Sequence, residues 1–341
     1  MTTNVAVSHK QSRKDYVSDQ VVRWCPGCGD YSILSQVQKA FPEFGRPKEE
    51  FVFVSGIGCS SRFPYYMNTN GFHTIHGRAT AVATGVKLAN PDLSVWVATG
   101  DGDSLSIGGN HLIHLLRRNL DINILLFNNR IYGLTKGQYS PTSEMGKFTK
   151  STPFGTLERP FNPAAFALGA ASTFIARSLD MEGKHLQEMI TASYRHRGTS
   201  FLEIYQNCRI FNDNAFIDLL EKPQKFENQL ILEHYRPMLF GANKSKGIRM
   251  DGHRPQVVDL DGGRYSVNDL VIHDKHDKML ANVLCELTYM PDFPTPLGII
   301  YEDNQDTYED QVHKQMDQAV AQLGEGDLEQ LLHDGHTWEV Q

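Results

Sequence analysis

Short apolar runs, each ending in a loop of small or polar residues, are the sequence feature that most restricts the fold of this 341-residue chain. The runs that predict strands cover residues 51–54, 93–98, 122–127, 173–176 and 201–205. Stretches with helical periodicity lie between them, at about 30–40, 77–89, 107–119, 163–170 and 182–197. This alternation is typical of an α/β fold, with a mainly parallel sheet and helices on both faces. Ligands of such sheets bind outside the carboxyl ends of the strands.

The same pattern divides the chain into three parts. Residues 1–20 are polar and charged, so we expect a flexible tail without a signal peptide. Residues 21–215 carry the strand–helix alternation and are expected to form the main domain. Residues 216–341 are less regular and are expected to form an extension that contacts another subunit. The extension is predicted to contain a loop at 241–264, short strands at 270–272 and 298–301, and a polar helical stretch at 308–333.

The composition argues against several classes of function. A net charge of -7 without a long basic run makes nucleic acid an unexpected partner. The aliphatic and aromatic runs are far too short to span a bilayer, so no membrane partner is expected. Five cysteines are an odd number, which argues against a disulfide framework. We therefore expect a cytoplasmic protein whose cysteines serve a metal, a cluster or redox chemistry, or are buried.

Two polar motifs end neighbouring predicted strands. Gly100-Asp101-Gly102-Asp103 ends the first, and Asn128-Asn129 ends the next. A right-handed crossover would bring both motifs to one edge of the sheet. Asp101, Asn129 and the carbonyl of Ile131 could then bind Mg²⁺, with diphosphate oxygens and water completing an octahedron.

Glycines and a helix would complete an anion site beside this metal. Gly100 and Gly102 allow phosphates to approach the backbone closely, and a helix opening near Ser104 would direct amide groups at them. A Gly-Asp-Gly tripeptide alone is more often a simple turn. Together with the Asn pair at this spacing, the motif resembles the signature of thiamine-diphosphate enzymes.

Four cysteines lie close to these motifs in the predicted topology. Cys25 and Cys28 form a C-x-x-C loop before a helix, whereas Cys59 and Cys208 follow strands. The four fit one ligand set for a 4Fe-4S cluster. The alternatives are a structural zinc site at the C-x-x-C and plain burial of the other two. Cys285 has no evident partner and is interpreted as a packing residue.

Taken together, these segments resemble the β subunit of the 2-oxoacid:ferredoxin oxidoreductases. The similar segments are WCPGCGDY (24–31), SGIGCSSRF (55–63), HGRA (76–79), TGDGDSLSIGG (99–109), FNNRIYGLTKGQYSP (127–141) and EIYQNCRIFN (203–212). The resemblance is dense over about residues 20–215 and weaker beyond them. The GLTKGQ segment and the SSR after Cys59 are more similar to the 2-oxoglutarate branch than to the pyruvate branch. No second ferredoxin-like cysteine segment is present, so further clusters would lie on another polypeptide.

The resemblance implies a thiamine-diphosphate-binding fold and a set of site residues. It implies that Cys25, Cys28, Cys59 and Cys208 hold the cluster, and that Asp101, Asn129 and Ile131 hold Mg²⁺. It also implies that the thiamine diphosphate is contacted by Gly58, Gly100, Asp101, Gly102, Asp103, Ser104, Asn129, Tyr132, Gly133, Leu134 and Thr135. A partner α subunit, in an α2β2 assembly, would supply the glutamate that activates the cofactor.

Two residues are candidates for contact with substrate. Arg62, three residues after Cys59, could hold the distal carboxylate of a dicarboxylic 2-oxoacid, or could instead form a surface or subunit-interface salt bridge. His76 could donate a hydrogen bond to the substrate or to an intermediate, or could be a structural histidine at a helix start.

The resulting hypothesis is CoA-dependent oxidative decarboxylation of 2-oxoglutarate to succinyl-CoA and CO2. The electrons would pass through the cluster to ferredoxin. Within the family, pyruvate or a branched-chain 2-oxoacid is the alternative substrate. A non-redox thiamine-diphosphate decarboxylase would need no cluster cysteines, and a non-catalytic scaffold subunit that binds zinc or a cluster would bind no thiamine diphosphate.

Overall fold

A computed structural model describes residues 11–335 and 337–340 of the chain. Its strands are β1 (Phe51–Ser55), β2 (Asn70–His73), β3 (Ser94–Gly100), β4 (Ile122–Asn128), β5 (Phe174–Leu179), β6 (Ser200–Tyr205), β7 (Gln229–Ile231), β8 (Leu239–Phe240), β9 (Lys246–Asp251), β10 (Arg254–Asp259) and β11 (Thr295–Glu302). Its α-helices are α1 (Asp30–Ala40), α2 (Phe63–Tyr66), α3 (Ala79–Ala89), α4 (Asp101–Leu105), α5 (Gly109–Arg118), α6 (Pro163–Gly169), α7 (Gly183–Arg195), α8 (Gln224–Asn228), α9 (Lys278–Leu287), α10 (Tyr308–Leu323) and α11 (Leu328–His333).

The central sheet of the described chain has eight strands in the order β2-β1-β3-β4-β6-β5-β11-β7. The first six strands in this order run parallel to their neighbours. β11 pairs antiparallel to β5 and parallel to β7. The predicted α/β fold with a mainly parallel sheet is therefore confirmed, and the five strands predicted in the first 215 residues all lie in it.

Alternation along the strands supplies two apolar cores, one on each face of the sheet. Val52 and Val54 of β1 face the core that α3, α5, α6 and α9 cover. Phe51 and Phe53 face the core that α1 and α7 cover, where Trp96 of β3 joins them. Because successive side chains of a strand point to opposite faces, a continuous apolar run is what a sheet covered on both sides requires.

The chain packs onto this domain before residue 21. Residues 1–10 of the expected tail lie outside the described residues. Further along, Tyr16 ends a short 3₁₀ turn (Arg13–Tyr16) and is fully buried. Its ring meets Phe41 and Phe51 edge to face, at centroid distances of 5.6 and 6.0 Å. The Tyr16 side chain therefore anchors residues 11–20 on the main domain, although most of their other side chains are exposed.

The C-terminal extension is more ordered than its sequence suggests. The segment predicted to be a loop contains β9 and β10, which form an antiparallel hairpin that β8 extends to three strands. The strand predicted at 298–301 is the centre of β11, which enters the central sheet. Residues 270–272 do not form a strand; Ile272 makes an isolated bridge to Pro237.

The polar helical stretch near the C-terminus is present as α10 and α11. Most of the side chains from residue 311 onward are exposed. Among the described helices, none combines the length and the apolar character needed to cross a bilayer.

Candidate active site

A cavity of about 490 Å³ opens at the carboxyl ends of β1, β3 and β4. This volume is within the range of small-molecule sites. Its lining residues are Asp30, Ile57, Gly58, Cys59, Ser60, His76, Gly100, Asp101, Gly102, Asp103, Ser106, Ile107, Phe127, Asn129, Ile131, Tyr132, Gly133, Leu134, Thr135, Gln138 and Gln206. We call this space the larger cavity. The topology thus brings both polar motifs to one edge of the sheet, as the crossover argument predicts.

Asp101 begins α4 and lies at the wall of this cavity, 2% exposed. Its Oδ2 accepts hydrogen bonds from the hydroxyls of Ser140, at 2.5 Å, and Thr142, at 2.6 Å. Burial raises the pKa of the carboxyl above its ordinary value, while these hydrogen bonds oppose the shift. A carboxylate held at such a place gains from a bound cation, and its oxygens are ligands that suit Mg²⁺.

The Asn pair after β4 is fixed in a tight turn. Asn129 Oδ1 accepts the N–H of Ile131 at 3.1 Å, and Arg130 between them has a φ of +56°. Asn128 donates to Glu203 at 2.8 Å, and Glu203 pairs with the equally buried Arg177 at 2.8 Å. These contacts preset the turn, because each buried polar group fixes the orientation of the next.

Gly102 has no side chain at the point where the Tyr132 ring packs against the main chain. A Cβ at this position would lie 2.1 Å from the Tyr132 ring, and the Tyr132 hydroxyl donates to the Gly102 carbonyl at 3.1 Å. The main chain at Gly102 therefore contacts the ring of Tyr132, and both residues line the cavity. The Tyr132 ring can therefore pack this close only because residue 102 has no side chain.

Asp103 lines the cavity and also ties two loops to the end of β3. Its Oδ1 accepts the N–H groups of Gly77, at 2.8 Å, and Ile57, at 3.1 Å. Its Oδ2 accepts the Thr99 hydroxyl at 2.9 Å. The predicted cofactor contact of Ser104 has less support, because this side chain does not line the cavity. The helix begins at Asp101, directly after the extended Gly100, and not near Ser104 as predicted.

The cysteines of the C-x-x-C loop and of two strand ends meet at a second, smaller cavity of about 270 Å³. Cys25, Cys28, Cys59 and Cys208 all line it. The sulfurs of Cys59 and Cys208 each lie 3.5 Å from the point that a Cβ of residue 133 would occupy. Cys285 is buried in the apolar core on α9, as the packing interpretation predicts.

Burial favours the neutral thiols in this smaller cavity. It raises the pKa of Cys28 well above its ordinary value, with the nearby Asp30 carboxylate adding to the shift. Burial raises the pKa of Cys59 to about 12, and Asp30 and Cys208 contribute. Thiolates here need a positive partner, which an iron–sulfur cluster supplies. Within the described residues no three ligand side chains are close enough to hold a single metal ion.

The two cavities share one wall. Its residues are Cys59, Asn129, Gly133, Leu134 and Gln206. Tyr132 to Thr135, predicted to lie along the cofactor, line the larger cavity, so this loop separates the two spaces.

The two predicted substrate contacts lie in different places. His76 is exposed and lines the larger cavity. Arg62 lines the smaller cavity, where its guanidinium donates to the carbonyl of Arg23 at 3.2 Å. The structure therefore does not bring Arg62 to the larger cavity.

Several residues of the site escaped prediction. Ser140 and Thr142 come from a Ser- and Thr-rich turn after β4, and Asp30 follows the C-x-x-C loop. Both oxygens of Asp30 are buried. Gln206 lies two residues before Cys208, and this position in the sequence could have indicated that it lies near the cysteines.

The chain is similar to known proteins of one family. Residues 56–204 match the family model described as the C-terminal TPP binding domain of thiamine pyrophosphate enzymes. The 2-oxoglutarate oxidoreductase subunit KorB of Mycobacterium tuberculosis is 50% identical over 100% of this chain and 92% of its own length. The β subunit of 2-oxoacid:ferredoxin oxidoreductase 1 of Aeropyrum pernix is 50% identical over 56% of this chain and 60% of its own.

This chain belongs to the family of 2-oxoacid:ferredoxin oxidoreductase β subunits. A solved member of the same enzyme class has a similar fold. The 2-oxoglutarate:ferredoxin oxidoreductase from Magnetococcus marinus, with 2-oxoglutarate, coenzyme A and succinyl-CoA bound, superposes with a TM-score of 0.76. It is 32% identical, and the match covers 96% of this β subunit and 97% of the Magnetococcus chain. The predicted family and fold are both confirmed.

Proposed function

We propose that this β subunit carries the thiamine diphosphate and the electron-accepting cluster of a 2-oxoglutarate:ferredoxin oxidoreductase. The enzyme converts 2-oxoglutarate and CoA to succinyl-CoA and CO2 and passes two electrons to ferredoxin. The single observation that carries this proposal is the common wall of the two cavities. Asp101 and Asn129 line the larger cavity, and four cysteines line the smaller one. A non-redox thiamine enzyme has no use for the second cavity.

The choice of substrate rests on the relatives. The Mycobacterium relative, at 50% identity over the full chain, is named for 2-oxoglutarate. The Magnetococcus enzyme was solved with 2-oxoglutarate, coenzyme A and succinyl-CoA bound. Pyruvate and branched-chain 2-oxoacids are the competing substrates.

When bound, thiamine diphosphate supplies the electron sink for decarboxylation of a 2-oxoacid, and a 4Fe-4S cluster accepts single electrons. In this proposal Asp101, Asn129 and the Ile131 carbonyl hold the Mg²⁺ that binds the diphosphate. Ser140 and Thr142 orient the Asp101 carboxylate through their hydroxyls. Gly100 and Gly102 let the backbone approach the phosphates.

The loop that separates the cavities keeps water away from the reacting centre. Ile131 is 3% exposed, and Tyr132 packs over Gly102. His76, at the cavity, is placed to hold a substrate carboxylate or to donate a proton there. Arg62 keeps a role in our proposal only as a residue beside the cluster, because it lies with the cysteines.

Partners complete the proposal. An α subunit closes the larger cavity and supplies the group that activates the cofactor, in an α2β2 assembly. Ferredoxin collects electrons from the side of the smaller cavity. We place the enzyme in the cytoplasm, where thiols stay reduced.

The deciding experiment is anaerobic reduction of a viologen dye by the complex purified through this subunit. CoA, Mg²⁺ and thiamine diphosphate are present, and 2-oxoglutarate is compared with pyruvate. We expect rapid reduction with 2-oxoglutarate, and loss of it in an Asp101→Ala complex that still contains iron.

Each other outcome has a clear meaning. Preference for pyruvate would overturn the substrate and leave the reaction class. No reduction with any 2-oxoacid, by a complex that contains iron and thiamine diphosphate, would overturn the oxidoreductase itself.

A further inference from the structure

Gln206 stands where the two cavities meet. It follows β6 directly, is 1% exposed, and lines both the larger and the smaller cavity. Its main-chain N–H donates to the Asn128 carbonyl at 2.9 Å, beside the Asn turn. The side chain is therefore held at a fixed place between the site of decarboxylation and the cysteines.

The Gln206 amide is a donor to one cysteine sulfur. Its Nε2 lies 3.3 Å from Cys28 Sγ and 2.6 Å from the carbonyl oxygen of Asn207. An amide nitrogen carries two hydrogens, so it can make both contacts at once. The bond to Asn207 fixes the rotation of the amide, which keeps the other N–H on the sulfur.

Hydrogen bonds to cysteine sulfur are one of the factors that set the potential of a cluster. A donor withdraws electron density from the sulfur. It stabilises the reduced cluster more than the oxidised one, because the reduced cluster carries one more negative charge. The amide therefore favours electron transfer out of the larger cavity.

We propose that Gln206 is a positioning residue that raises the reduction potential of the cluster through its N–H···S bond to Cys28. This inference rests on the proposed function, since it requires a cluster on these cysteines. It assigns to Gln206 control of how readily each electron leaves the decarboxylation site.

The test is a redox titration, followed by electron paramagnetic resonance, of the assembled complex with its α subunit. Gln206→Leu removes the donor and keeps an apolar filling of similar size. We expect its reduction equilibrium to fall about tenfold, which for one electron is a shift of ~59 mV to lower potential. Gln206→Glu keeps the shape and replaces the donor with a carboxyl group, and we expect a shift in the same direction.

Gln138→Leu is the matched control. Gln138 also lines the larger cavity, but its amide donates to the Thr135 carbonyl at 2.9 Å and not to a cysteine. We expect the midpoint potential of this variant to equal that of the native complex.

The outcomes separate this inference from the proposed function. Absence of iron from the native complex would overturn the proposed cluster, and with it both the proposed function and this inference. Full iron with an unchanged midpoint in Gln206→Leu would overturn the role of Gln206 and leave the proposed function intact. If Gln206→Leu loses its iron, the midpoint of Gln206→Glu decides, and an unchanged value there overturns the inference.

Discussion

The hydroxyl of Ser140 donates a 2.5 Å hydrogen bond to Oδ2 of Asp101, although 39 positions separate the two residues. Thr142 stands beside it, with its hydroxyl 2.6 Å from the same oxygen and 2.9 Å from Asn128 Oδ1. The segment after β4 thus folds back over both motifs. It holds Oδ2 of Asp101 through two hydroxyl groups.

We expect Ser140→Ala to weaken Mg²⁺ binding by about 10–100-fold, the usual effect of losing a group that orients a metal ligand. The measurement is the Mg²⁺ dependence of thiamine diphosphate binding to the complex. Ser172→Ala is the control, because it also removes a buried hydroxyl, one that donates to Phe174 away from the cavity. Equal Mg²⁺ affinity in both variants would refute the role of Ser140.

Gly102→Ala should disrupt thiamine diphosphate binding, since the new methyl group would lie 2.1 Å from the Tyr132 ring and displace it. We expect a loss of affinity of about tenfold or more, equivalent to ~1.4 kcal/mol. Calorimetric titration with thiamine diphosphate and Mg²⁺ measures it. Gly85→Ala in α3 is the control, with open space around the added methyl, and should keep full affinity. Normal thiamine diphosphate binding by Gly102→Ala would show that Tyr132 moves aside at little cost, and it would contradict the prediction.

Removal of single cysteines should divide them into two classes. Cys208→Ser is expected to lose most of its iron, because this sulfur lies beside Cys59 in the smaller cavity. Cys285→Ser should keep its iron, since Cys285 packs in the apolar core. Iron per β subunit and the low-temperature paramagnetic spectrum are the measurements. Retention of a full cluster by Cys208→Ser would exclude it from the ligand set.

The buried ion pair of Arg177 and Glu203 should be sensitive to loss of one partner. Both side chains are 0% exposed, and Arg177→Met would leave the Glu203 charge unpaired. We expect a loss of about 3–5 kcal/mol in the free energy of unfolding by urea. Arg197→Met is the control, because it breaks an exposed pair with Asp310 and should cost less than ~1 kcal/mol. Similar costs for the two variants would contradict the prediction.

His196 should make the fold sensitive to acid. Its ring is 5% exposed, Nε2 lies 2.8 Å from the Thr173 hydroxyl, and burial lowers its pKa below the ordinary 6.5. The unfolded chain therefore takes up a proton near pH 6.5 that the folded chain resists. The contribution to stability is complete above pH 6.5 and is lost as the pH falls towards the lower folded value.

Urea unfolding of the native chain and of His196→Gln between pH 8 and 5 tests this. The native chain should lose more stability than the variant over that interval. The exposed His313 on α10 provides the control, as His313→Gln should follow the native curve. Parallel curves for the native chain and His196→Gln would disprove the role of His196.

Five of the six strands that the structure describes in the first 215 residues could be predicted, because each is mainly apolar and buried on both faces. β2 was missed because its sequence, Asn70–His73, is polar and lies exposed at the sheet edge. The β9–β10 hairpin was missed for a similar reason. Most residues of β9 and β10 are polar, and few of their side chains are buried. Ile248 and Val258 are the largest buried ones.

The site was predictable where one short motif carries the chemistry. Asp101, Asn129 and the cysteines belong to such motifs. Ser140 and Gln206 were not predicted, because their importance arises from loops that meet only in the folded chain. Arg62 shows the converse case. Its proximity to Cys59 in sequence could not reveal which of the two cavities its side chain joins.

The common wall of the two cavities couples the choice of substrate to the surroundings of the cysteine sulfurs. Cys59, Asn129, Gly133, Leu134 and Gln206 each face both spaces. A substitution there that admits a new 2-oxoacid also changes the surroundings of the cysteine sulfurs. Divergence towards new substrates in this lineage should therefore proceed through residues that line only the larger cavity, such as Ile107 and His76.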